Sequence, residues 1–204
     1  MARPREFDEA AVLDAAVQCF WVRGYEATSI RDLAQKMGIT GASLYNAFGD
    51  KRSLYRRALD HYLEQRLVER INRLEKLAPR EAIGAFFSEI IERSLNDPQN
   101  KGCMLVNGAL EASPLDPGFQ RAIADVFTQI EAFFHRCVIT GQHTGAISTS
   151  QPADDLARLL LGVLLGIRVL ARARPERDLL EGLVRPALAL LDHHTTAMGS
   201  IRHD

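Results

Sequence analysis

The side chains of this chain best placed for chemistry are hydrogen-bonding groups on one short helical segment. Thr28-Ser29 precedes an apolar-periodic run, Ile30, Leu33, Ala34 and Met37, that stops at Gly38. Ile39 leads directly into Thr40, a second cap, and a run ending at Phe48 whose inward residues are Leu44 and Phe48. That leaves Gly41, Ala42, Ser43, Tyr45 and Asn46 to face outward. A capped helix, a tight glycine turn and a second short capped helix have the geometry of a helix-turn-helix, in which the second helix enters the DNA major groove. Small residues at Gly41 and Ala42 let the backbone come close, Asn46 can bond base edges, and Tyr45 and Ser43 can donate hydroxyls to phosphate. The helix N-termini at Thr28 and Thr40 add unpaired N–H groups for phosphates.

Catalytic chemistry has little to stand on. There is no phosphate-cradling glycine loop, no strand-turn-helix nucleophile, and no His and carboxylate set at a spacing suited to a metal. His135, Cys137 and His143 lie close in sequence at no standard site spacing, and His193, His194 and His203 read as a solvated tail. No enzyme activity, cofactor or metal is expected.

The elements that must position the candidate residues are helices. The 204 residues are 47% hydrophobic and 25% charged, enough to bury a real core in one compact unit or two small ones. A formal net charge of -1 excludes bulk basicity, so binding of nucleic acid has to come from a local surface. Arg3, Arg5, Arg23, Arg31, Lys36, Lys51 and Arg52 are nearly balanced by Glu6, Asp8, Glu9, Asp14, Glu26, Asp32 and Asp50, so placement decides whether a positive face exists. Cys19, Cys103 and Cys137 match no metal spacing and fit reduced thiols. The N-terminus has no apolar signal core, and the apolar run 159–167 stops at Arg168, short of the roughly 18 residues a membrane span needs. The cytoplasm, with no membrane partner, is the expected location.

No stretch alternates apolar and polar residues as a half-buried strand would, and the 3.6-residue period recurs throughout, so the fold class is all-α with about nine helices. They are expected at about 8–22, 30–38, 40–48, 50–76, 80–95, 103–112 (closed by Ser113-Pro114), 117–142, 152–170 and from Pro175 onward, the last bent by Pro186. A border near Leu54, inside the fourth helix, divides a unit of residues 1–53 from one of 54–204.

The run Gly24-Tyr25-Glu26-Ala27-Thr28-Ser29-Ile30-Arg31-Asp32-Leu33-Ala34, then Met37-Gly38-Ile39-Thr40, then Ser43-Leu44-Tyr45-Asn46-Ala47-Phe48-Gly49-Asp50-Lys51 with Leu54-Tyr55 resembles the N-terminal domain of the TetR/AcrR repressor family. The resemblance implies a homodimer that binds a palindromic double-stranded DNA operator and is released by a small-molecule effector. It also implies phosphate contacts for Thr28, Thr40, Tyr45 and Lys51, and a place at or near bases for Gly41, Ala42 and Asn46. Many members carry Lys where this chain has Gly41 and His where it has Ala47, so fewer long side chains reach the bases and the operator sequence is not readable.

For the remaining helices the resemblance implies an effector domain whose last two helices pair with a second subunit as a four-helix bundle. The eighth helix is apolar on nearly every side, which calls for a partner over one face, and Gly162 and Gly166, one turn apart, permit close approach. The expected interface is Leu160, Val163, Leu164, Gly166 and Ile167 with Leu180, Val184, Ala187 and Leu191. Effector candidates are Phe86, Phe127, Asn107, Glu111 and Arg168, the polar ones because buried polar groups need partners. Cys103 joins them. The segment Gly102-Cys103-Met104-Leu105-Val106-Asn107 resembles a Gly-Cys-x-Leu-x-Asn signature of one TetR branch, some of whose members sense electrophiles or oxidants, and a thiol at a helix start beside Lys101 can have a lowered pKa. The competing reading of Cys103 is a small buried hydrophobe. The alternative function class is an all-helical ligand-binding or adaptor protein whose helix-turn-helix is only structural.

Overall fold

The computed structural model describes residues 7–111 and 117–193. The expectations placed on Arg3, Arg5, Glu6, His194, His203 and the Ser113-Pro114 stop lie outside those residues. Nine helices and no strand occur among the described residues.

Local chemistry sets the boundaries of the first four helices. In α1 (Glu9–Arg23) the Asp8 carboxylate accepts from the Ala10 and Ala11 amides, and Gly24, at φ 82, ends the helix. In α2 (Ile30–Met37) the cap is Ser29: its hydroxyl accepts from the Asp32 amide while the Asp32 carboxylate accepts from the Ser29 amide. Those Ser29 bonds and then the Arg23 guanidinium hold the Asp32 carboxyl down at about 2. Gly38, in the left-handed region, closes the helix. The Thr40 hydroxyl caps α3 (Gly41–Phe48) by accepting from the Ser43 amide. Asp50 caps α4 through the Ser53 amide, and α4 is one continuous helix of three parts: Lys51–Leu63, a π-helical turn at Glu64–Val68, and Glu69–Leu74.

The first three helices and the start of α4 close around Phe20, Leu33, Leu44, Phe48 and Leu54, all buried. Truncating Leu44 to Ala would cost about 2–5 kcal/mol by the usual cavity penalty. The rest of the chain, the body, is α5 (Pro79–Leu95), α6 (Met104–Glu111), α7 (Pro117–Thr144), α8 (Ala153–Ala173) and α9 (Arg177–Ala189). Its centre is a ring cluster in which Phe86, Phe87, Phe133 and Phe134 from α5 and α7 have centroids 5.1 to 6.1 Å apart. Pro186 lies inside α9, which continues to Ala189.

The faces of α8 separate once neighbours are known. Leu156, Leu160, Leu164, Ile167 and Ala171 are buried, while Leu159 and Val169 are 39% and 49% exposed. Leu160, Leu164, Ile167, Leu180, Val184, Ala187 and Leu191, expected at a subunit interface, pack inside the subunit instead. A helix apolar on all sides does not reveal in its sequence which side its own subunit covers. Of the expected interface set, Val163 and Gly166 stay partly exposed, next to Leu159, exposed Gly162 and Val169. A methyl group added at Gly162 or Gly166 would meet nothing within 4 Å. No helix among the described residues is long and apolar enough to cross a membrane.

Candidate nucleic-acid interface and effector cavity

Helix α3 turns Leu44 and Phe48 into the core and so presents the opposite side outward. Ala42, Tyr45 and Asn46 are exposed, Tyr45 at 53%, and Gly41 has open space where a side chain would stand. The Thr40 and Ser43 hydroxyls lie 2.9 Å apart, so one donates to the other and the accepting hydroxyl keeps its own proton to donate outward. Lys51, at the start of α4, lies 4.5 Å from the centroid of the Tyr25 ring and donates to the Glu26 carbonyl at 3.3 Å. This ammonium has donors to spare for a phosphate beside that turn. Thr28 does not belong to this surface. It is fully buried and its hydroxyl donates to the Gly24 carbonyl at 2.6 Å, so the expected phosphate contact through its side chain is corrected: Ser29 is the cap, and Thr28 ties the turn to the end of α1.

That turn is also gripped from the body. Glu111, at the last position of α6, accepts from the Tyr25 amide at 2.9 Å, and its carboxylate occupies the space a Gly24 side chain would need. Further along α6, Gly108 packs so closely on Tyr55 that an added methyl would lie 2.5 Å from the phenol oxygen. Tyr55 is itself wedged between Phe20, Tyr25 and Phe119, at 4.7, 5.1 and 5.0 Å, and burial raises its hydroxyl pKa. Two elements, α4 and α6, therefore bear on the turn between α1 and α2.

The other end of α6 borders a cavity. An open chamber of about 400 Å³ is walled by Trp21, Tyr62, Arg66, Arg93, Lys101 and Arg168 among others. A narrower apolar chamber of about 50 Å³ shares Tyr62, Arg66, Arg93 and Arg168 with it and adds Phe86, Cys103 and Phe127. Four of the six effector candidates, Phe86, Cys103, Phe127 and Arg168, thus line these walls. Asn107 and Glu111 do not: Asn107 donates to the Lys101 carbonyl at 3.0 Å, fixing the loop before α6, and Glu111 is the strut described above. Lys101 does not stand free beside Cys103, because its ammonium is paired with Asp97 at 2.8 Å. All three cysteines are buried; burial pushes the Cys19 thiol up and the Cys137 thiol to about 11. Arg66 and Arg93 were not singled out by sequence, since charged residues on a helix read as a solvated face. The only local signal was the spacing of Tyr62, Arg66 and Arg70 by four. Among the described residues no group of three His, Cys, Asp or Glu could hold a metal ion.

Residues 12–58 match the family model described as bacterial regulatory proteins, tetR family, and residues 79–186 match a tetracyclin repressor-like C-terminal domain. The HTH-type transcriptional regulator YezE of Bacillus subtilis is 34% identical over 94% of this chain and 100% of its own length. The HTH-type transcriptional repressor ComR of Escherichia coli is 28% identical over 83% of this chain and 82% of its own. Among solved structures, a cysteine mutant of the TetR family transcriptional regulator CifR, complexed with 26bp double-strand operator DNA, is 33% identical. It superposes with a TM-score of 0.83 over 93% of this chain and 100% of that one.

Proposed function

The chain belongs to the tetR family of bacterial regulatory proteins, ligand-responsive DNA-binding regulators that are not enzymes, and on that premise we propose that it is a homodimeric repressor released from a palindromic operator by a small molecule. The observation that carries this reading is one helix, α6, with a cavity at one end and the Tyr25 amide at the other. A ligand entering between α4 and α6 displaces the strut and Tyr55 together, and both bear on the turn between α1 and α2. Two recognition helices must reach half-sites about 34 Å apart, so a small tilt of each DNA-facing unit loses simultaneous docking. Repression is what the ComR relative is named for, and the CifR relative was solved on operator DNA.

In the dimer, the outward stripe Leu159, Gly162, Val163, Gly166 and Val169 of α8 meets its own copy. The two glycines let the backbones approach. At the DNA, Tyr45 and Lys51 hold phosphates and Asn46 reads a base edge.

Operator mapping by genomic footprinting of the purified protein, followed by affinity measurements on the mapped site, tests the proposal. Tyr45→Phe and Lys51→Ala should weaken binding to all sequences alike, with Lys51→Ala lowering the salt slope by about one unit. Asn46→Ala should relax the choice among single-base operator variants. Footprints without twofold symmetry, or an Asn46→Ala protein with the wild-type preference pattern, would overturn the assignment.

A further inference from the structure

The cavity carries an excess of one charge. Four cationic side chains, Arg66, Arg93, Lys101 and Arg168, meet one carboxylate, Asp97, in the wall of the larger chamber. Asp97 is already satisfied: it pairs with the Lys101 ammonium and accepts from the Lys101 and Gln99 amides. Glu89, the next acid, is shared between Arg70 at 3.1 Å and Arg73 at 2.8 Å. Among the described residues no carboxylate is left for Arg66, Arg93 or Arg168. Among the described residues the Arg168 guanidinium, with five donors, makes a single hydrogen bond, at 3.4 Å to the Ser94 hydroxyl. Mutual repulsion registers on the neighbours: after burial, which is the larger cause, the nearby arginines lower the pKa of both Arg70 and Arg93.

Two further observations concern the same walls. Trp21 lines the larger chamber at 7% exposure, and its indole N–H has no acceptor among the described residues. Arg66 belongs to the π-helical turn of α4, an irregularity that costs regular hydrogen bonding and is frequent at functional sites. Three guanidinium ions without a carboxylate partner and an indole N–H without an acceptor among the described residues are all donors. The group they lack is an acceptor bearing negative charge, and a guanidinium fork fits the two oxygens of an oxyanion. The adjoining chamber, with Phe86, Leu105, Val106, Phe127 and Leu164, supplies an apolar wall and little room.

We propose that the effector of this protein is an organic oxyanion with a short apolar body, its charged head held by Arg66, Arg93 and Arg168 and its body turned toward Phe86 and Phe127. This rests on the reading of the chain as a ligand-released regulator and names the chemical class of that ligand. Carboxylate and phosphate heads share the recognition chemistry.

The test uses the only tryptophan in the chain, Trp21, as reporter, since Arg66 and Lys101 stand 5.5 and 5.3 Å from its ring centroid. Titrate the full-length protein with hexanoate, hexyl phosphate and the neutral hexanamide, following Trp21 fluorescence. One or both anions should give a saturable change, with the amide at least about ten-fold weaker, a difference worth about 1.4 kcal/mol. The stronger anion identifies the head. Arg168→Gln should abolish the preference for anions and Arg168→Lys should restore part of it; Arg93→Gln, at an exposed position, serves if the Arg168 variants do not fold. Equal binding of hexanamide, or no change with either anion at millimolar concentration, overturns the proposal. Operator release separates the two levels of the argument. Anions that bind without releasing DNA support the site and refute the effector reading. A neutral compound that releases DNA from wild type and Arg168→Gln equally overturns the anion assignment and leaves ligand-released regulation standing.

Discussion

Replacing Gly24 by alanine should be among the most damaging single-methyl changes in the chain, for two separable reasons. Gly24 has φ 82 and ψ 172, a combination essentially restricted to glycine, so any side chain there costs about 1–3 kcal/mol in backbone strain. The added methyl would also stand 2.9 Å from the Glu111 carboxyl carbon and closer still to one of its oxygens, which evicts the carboxylate from the Tyr25 amide. A hydrogen bond to a charged group contributes about 1.5–3 kcal/mol, and this one, being only partly buried, belongs at the lower end. Gly24→Ala should therefore cost about 2.5–4.5 kcal/mol in an otherwise wild-type chain. In a Glu111→Ala chain, where the bond is already gone and the space is open, it should cost only the strain, about 1–3 kcal/mol. The double-mutant cycle should accordingly show a coupling of about 1.5 kcal/mol. Urea denaturation of the four proteins at one fixed concentration reads this as a midpoint difference of about 0.5–1.5 M for typical slopes. A cost for Gly24→Ala that agrees in the two backgrounds to within about 0.5 kcal/mol would refute the strut and reduce Gly24 to a backbone requirement.

The two faces of α8 should respond differently to the same charge: Gly166→Glu should leave a folded monomer by light scattering at micromolar concentration, whereas Leu164→Glu, at a site 4% exposed, should unfold the subunit. A Gly166→Glu protein that stays dimeric removes the stripe from the interface. Asp32, whose pKa is held at about 2 against an ordinary 3.8, stabilises the fold above its unfolded value and loses that contribution as pH falls from about 4 to about 2. Wild type and Asp32→Asn should thus differ in thermal midpoint at pH 7 and converge below about pH 2; a constant difference across that window contradicts the capping role. At pH 8, brief alkylation located by mass spectrometry should reach Cys103, on the cavity wall, before Cys137, whose thiol is pushed to about 11, and before Cys19. Adducts first on Cys19 or Cys137 would leave Cys103 as a packing residue.

Much of the DNA-facing unit is legible in its sequence because its information is local. Caps act over two to four residues, glycine stops act at one, and the inward pair Leu44 and Phe48 is separated by one helical turn. Those short spacings fix α1 to α3, and with them the outward set Gly41, Ala42, Tyr45 and Asn46, whatever the rest of the chain does. Thr28 shows the limit even there: a hydroxyl beside a helix start reads as a cap, and only the approach of the Gly24 carbonyl turns it inward.

In the body the decisive relations join residues far apart, and no helical period encodes them. Glu111 and Tyr25 are 86 positions apart, and Arg168 reaches Ser94 across 74. Arg66, Arg93 and Arg168 sit on α4, α5 and α8, each an ordinary charged residue by its own neighbours, and they become one site only because those helices converge on Tyr62. The π-turn that contains Arg66 leaves no mark on the pattern of apolar residues. For α8 the sequence determined that nearly all sides are apolar; which stripe lies against α5 and α7, and which is left exposed, followed from how those helices pack on it. Sequence settles what a helix can bury, because that depends on its own side chains. Tertiary structure settles what it does bury, because that depends on which surfaces arrive opposite.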